Sequence, residues 1–122
     1  MDLIQPKGAL KRETELLLLV GKICDKIRKL PHYENYKHDI EMLKLVCNLI
    51  EHSVVNKKNR TKIDKLVLAK NVYTTVFSLN PNEIKTLETN ITYLLENGQI
   101  KKQNIIRLLF KYGINWVKNF LE

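Results

Sequence analysis

Tyr36, Ile40, Leu43, Cys47, Ile50 and Val54 follow one another at intervals of 4, 3, 4, 3 and 4 residues. That spacing lines one side of a helix and fits no strand, whose side chains change face at every residue. Similar stripes recur along the chain. Leu16, Val20, Ile23, Ile27 and Leu30 mark a first helix over 10–30, ended by Pro31, because proline lacks the N–H that a helix interior needs. The opening stripe belongs to a second helix over 36–55, with Lys37, Glu41, Lys44, Asn48 and Glu51 on its wet side.

A third helix is expected over 61–78, opened by Thr61 and Asp64 as a weak capping box and burying Ile63, Leu66, Val67, Tyr73, Val76 and Phe77. Asn80-Pro81-Asn82-Glu83 is a sharper start signal. Asn80 caps, Pro81 suits the first helical position and Glu83 meets the positive end of the helix dipole. The fourth helix then buries Ile84, Leu87, Ile91, Leu94 and Leu95, and stops at Asn97-Gly98, since glycine takes the left-handed conformation that closes a helix.

The last helix, expected over 103–121, carries apolar residues on most of its circumference, with Asn104, Arg107, Lys111, Asn115, Lys118 and Glu122 as a narrow polar stripe. Such a helix needs partners on several sides. Either it is the most enclosed helix of the fold, or part of its face, carried by Phe110, Ile114, Trp116, Val117, Phe120 and Leu121, meets another protein or a second copy. A membrane-surface role, with Trp116 at the headgroups, is the third reading.

These elements predict an all-α fold, a compact bundle of about five helices with mostly antiparallel neighbours, because short connections favour antiparallel packing. Residues 1–9 read as an extended lead-in and 10–122 as a single helical domain. At 122 residues and 44% hydrophobic content, one core forms without disulfide or metal support. Cys24 and Cys47 lie on apolar helix faces, where a free thiol acts as a small hydrophobe, and this points to a reduced, cytoplasmic chain. The longest apolar run, Leu16 to Val20, is far too short to span a bilayer, and the first residues lack the basic-then-apolar order of a secretory signal.

The formal net charge of +8 gathers in two places. Lys57, Lys58, Arg60, Lys62, Lys65 and Lys70 surround the single acid Asp64, and Lys101, Lys102, Arg107, Lys111 and Lys118 mark the last helix and its approach. The first group, Lys57, Lys58, Arg60, Lys62 and Lys65 above all, is the candidate anion or nucleic-acid patch. It has no interleaved aromatic to stack a base, and the chain holds 17 lysines against 4 arginines. Any nucleic-acid contact through it is expected to be weak, salt-sensitive and blind to sequence.

No enzymatic chemistry emerges. His32, His38 and His52 show no zinc-ligand spacing with each other or with the cysteines, Ser53 and Ser78 lie outside any nucleophile elbow, and the glycines are scattered. The chain is therefore expected to be no enzyme and to take no cofactor or metal.

The stretch from Tyr93 to Lys102 looks like a recognition helix entering the wing of a winged-helix domain, although helix and not a strand pair is expected to follow it. With Lys62-Ile63-Asp64-Lys65, Val76-Phe77-Ser78-Leu79 and Glu83, it also resembles small helical proteins of unknown function from phages and large viruses. That resemblance implies an accessory or virion-associated protein, in host cytoplasm or virion, and transfers no site residue. The reading from the residues themselves is an interaction or assembly module that uses the last helix, with a sequence-independent nucleic-acid binder as the alternative.

Overall fold

The apolar stripes fold into helices in this computed structural model, which describes residues 7–55, 65–100 and 104–121. Six α-helices appear among the described residues, with no strand: α1 (Lys7–Arg28), α2 (Ile40–Val55), α3 (Lys65–Phe77), α4 (Pro81–Glu96), α5 (Ile105–Lys111) and α6 (Val117–Leu121). A short 3₁₀ turn, Tyr33–Tyr36, links α1 to α2. The fold is thus the all-α bundle that the periodicity predicts, and the wing of a winged-helix domain has no counterpart among these residues.

Contacts between side chains give the helix directions. Lys65 on α3 meets Glu51 near the end of α2, while Tyr73 further along α3 donates to the Lys37 carbonyl just before α2 begins, so the two helices are antiparallel. Lys70 pairs with Glu88 across the tight α3–α4 connection, which sets α4 antiparallel to α3. The Cys24 thiol meets the Val72 carbonyl, and Tyr33, just past α1, packs against Phe77. Helix α1 therefore runs parallel to α3 and against α2, in an up-down-up-down order.

Helix α2 is the most enclosed element and packs against α1, α3, α4 and α5. Met42, Leu43, Leu45, Val46, Cys47, Leu49 and Ile50 are all buried, so apolar residues cover far more of α2 than the single expected stripe. Each fully buried leucine or isoleucine contributes about 1.5–3 kcal/mol. Asn48, expected on the wet side, is buried as well. Its amide donates to the Lys44 carbonyl one turn back, while its Oδ1 has no partner. Ile40, expected in the stripe, lies 44% exposed at the first position of the helix.

In α3 the buried residues are Leu68, Ala69, Val72, Tyr73 and Phe77. Val67, expected inside, is 45% exposed, and Leu66 and Val76 are half-buried. The expected cap at Thr61 and Asp64 and the burial of Ile63 lie outside the described residues. Helix α4 starts as its sequence predicts: Asn80 Oδ1 accepts the Glu83 N–H at 2.8 Å, and Glu83 Oε1 accepts the Asn80 N–H at 3.0 Å. At its other end the Gln99 N–H reaches the Leu94 carbonyl and the Gly98 N–H the Leu95 carbonyl, with Gly98 at φ +61°. These bonds form a Schellman closure. Leu87, Ile91 and Leu94 are buried, whereas Ile84 is half-buried and Leu95 is 37% exposed.

Candidate interaction surface

The single expected helix over 103–121 is two short helices. Gly113, at φ +91°, turns the chain after α5. The Ile114 N–H donates to the Leu109 carbonyl at 2.8 Å and the Gly113 N–H to the Phe110 carbonyl at 3.1 Å, again a Schellman closure. A Cβ at Gly113 would stand 3.3 Å from the Pro31 ring, so the turn is held close to the end of α1. Leu109 and Ile114, the positions at which this motif commonly sets an apolar contact, are both buried in the core.

The turn divides the six candidate interface residues between two environments. Ile114 and Phe120 are buried in the chain's own core, and Val117 and Leu121 are half-buried against it. Of these four only Val117 also lines the open groove. Phe110 is 56% exposed and Trp116 42%, and Ile106, which was not singled out, is 48% exposed. Ile106, Phe110, Trp116 and Val117 line one shallow groove of about 420 Å³, edged by Asn115, Lys118 and Asn119. Phe120 anchors α6 beneath it, with its ring 5.5 Å from that of Trp116 and under the Lys26 ammonium at 5.8 Å. Burial, followed by the nearby charges of Lys22 and Lys29, lowers the Lys26 pKa from its ordinary value.

Polar contacts fasten α5 to the start of α2. Asp39 caps α2 by accepting the Glu41 N–H on Oδ1, and its Oδ2 accepts the Tyr112 hydroxyl at 2.8 Å. Tyr112 is buried with its ring edge-on to Tyr36 at 4.7 Å. Burial, and then the Asp39 carboxylate, push its phenol pKa up. Arg107 and Lys111 stand 3.6 and 3.9 Å from Glu41 Oε1. The basic stripe of the last segment is therefore partly neutralised by its own acids.

Of the candidate anion patch, Lys57, Lys58, Arg60 and Lys62 lie outside the described residues, as do Lys101 and Lys102. Lys65 is half-buried and pairs with Glu51 at 2.7 Å, and Lys70 pairs with Glu88 at 3.0 Å. The charge of both is thus matched within the fold. Among the described residues no three His, Cys, Asp or Glu side chains gather to hold a metal ion. Both cysteines are free and buried, and burial pushes the Cys47 thiol up to about 12. Among the described residues no helix is long and apolar enough to cross a membrane.

A second concavity, of about 330 Å³, opens between the start of α2, Tyr73 of α3 and the first turns of α4. Sequence reasoning did not single it out. Its trace in the sequence is the line of Asn82, Thr86 and Asn90, polar side chains at i, i+4 and i+8 on one side of α4.

No family model matches the chain, and no curated protein or solved structure is significantly similar to it.

Proposed function

We propose that the chain is a non-enzymatic assembly module that joins copies of itself through the α5–α6 groove. The observation that carries this reading is the joint exposure of Ile106, Phe110 and Trp116 along one concave surface. Aromatic anchors clustered in a concave patch dominate association energies. A two-fold interface sets a patch against itself, so its polar groups have to serve as partners for their own kind. Asn115 and Asn119 each donate and accept hydrogen bonds, and Lys118 is the one charge on the lining. Helices α5 and α6, of 7 and 5 residues and interrupted at Gly113, offer no continuous apolar face to a bilayer surface.

The test is sedimentation velocity over a protein concentration series, read alongside the emission of Trp116, the only tryptophan in the chain. The mass should double as concentration rises, and the emission should shift to the blue as the indole leaves water. Added salt should strengthen association by screening the net charge of +8. Nucleic-acid binding through Lys57 to Lys70 would instead weaken with salt. Phe110→Asp should leave a monomer with an unchanged melting temperature. A monomer at every concentration and salt, with constant emission, overturns the reading.

A further inference from the structure

The cavity between α2, α3 and α4 has a different character from the groove. Leu43 and Leu87, both buried, form its floor, and Ile40, Leu79 and the Tyr73 ring extend the apolar lining. The titratable groups at its rim are already engaged with the chain. Lys37 Nζ lies 3.0 Å from Glu83 Oε2 and His38 Nε2 3.5 Å from the same oxygen. Asp39 is committed to the α2 cap and to Tyr112. The Tyr73 hydroxyl is committed to the Lys37 carbonyl at 2.9 Å.

The polar groups left over are neutral. Asn82, Thr86 and Asn90 line the α4 side of the cavity, and their side chains make no hydrogen bond to the described residues. An amide both donates and accepts, and a hydroxyl does the same. A volume of about 330 Å³ falls at the small end of ligand pockets, which pair an apolar lining with a few placed polar groups.

We infer that this cavity binds a small neutral molecule with an apolar body and an edge that both donates and accepts hydrogen bonds, such as a carboxamide or lactam. The body sits on Leu43 and Leu87 and the edge faces Asn82, Thr86 and Asn90. A charged ligand would have to break the Lys37–Glu83 pair or enter beside it without a counter-charge. This site is separate from the α5–α6 groove and stands whether or not the groove drives assembly.

The experiment titrates the full chain with benzamide and, separately, with benzoate, which has the same shape and a negative charge. Two-dimensional NMR follows the side-chain amides of Asn82 and Asn90. Benzamide should shift both signals along saturable curves in the millimolar range, with benzoate at least ten times weaker. Asn90→Leu and Thr86→Val should each weaken benzamide roughly tenfold without lowering the melting temperature, and Phe110→Asp should leave binding unchanged. Absence of saturation up to the benzamide solubility limit overturns the site. Equal binding of benzoate, or undiminished binding by both α4 variants, overturns the ligand class.

Discussion

The bond between Tyr112 and Asp39 joins residues 73 positions apart and fixes α5, and with it the wall of the groove, on the start of α2. Asp39→Ala removes the α2 cap, which costs ~1 kcal/mol. It also strips the buried Tyr112 hydroxyl of its acceptor, a further ~1–2 kcal/mol. Tyr112→Phe deletes one oxygen and keeps the ring against Tyr36. Asp39, with its side chain 29% exposed, then regains water, so the loss is about 1 kcal/mol. In the double variant no hydroxyl is orphaned, and its cost should fall ~1–1.5 kcal/mol short of the sum of the single variants. Urea unfolding measures this directly. With a slope of about 1.5 kcal/mol/M, the shortfall corresponds to ~0.7–1 M in the midpoint. Additive costs, within about 0.3 kcal/mol, would refute the coupling and the tether built on it.

Three further outcomes follow from the same geometry. Gly113→Ala forces a side chain into φ +91° and to 3.3 Å from the Pro31 ring; it should cost ~1–3 kcal/mol by thermal unfolding and move Trp116 emission. Glu83 has its pKa lowered, first by the Asn80 N–H and then by Lys37. Its stabilisation is therefore complete above the unfolded glutamate value of about 4.3 and is lost as pH falls through the lower folded value, so Glu83→Gln should flatten the acid side of a stability-against-pH curve. Cys24 and Cys47 are buried, with Cys47 raised to about 12; a thiol reagent at pH 8 should label them only at the rate of unfolding, and rapid labelling of the native chain would contradict their burial.

The fold was legible wherever a local rule and the tertiary packing agree. Asn80 to Glu83 formed the expected cap because its bonds span three residues and need nothing from elsewhere in the chain. Gly98 closed α4 for the same reason. Asn48 departs from the wet side that its polarity predicts because α2 has helices on several sides and offers Asn48 a bond to the Lys44 carbonyl instead. Val67 stays exposed because an apolar residue on the edge of a stripe faces inward only if a neighbouring helix covers that angle. The break at Gly113 did leave a signal: a basic residue, Lys111, in the last turn and a glycine two residues later form a helix stop. The apolar run on both sides obscured it. The α4 cavity was not legible, since it depends on how far α4 stands from α2.

Counting apolar residues over 103–121 does not give the area that a partner can reach, and the reason is geometric. In one straight helix Phe110, Ile114, Val117 and Leu121 would follow at i, i+4, i+7 and i+11 and share a face. The turn at Gly113 rotates the second half, so Phe110 stays outside while Ile114 enters the core. Substitutions on the two sides should therefore separate cleanly. Ile114→Ala and Phe120→Ala remove buried side chains and should cost ~2–5 kcal/mol of stability, measured by urea unfolding of dilute monomer. Phe110→Ala and Ile106→Ala remove side chains that are already half in water. They should leave monomer stability within about 0.5 kcal/mol and weaken association in the ultracentrifuge. If Phe110→Ala instead unfolds the monomer as Phe120→Ala does, the groove belongs to the core and cannot be a docking surface.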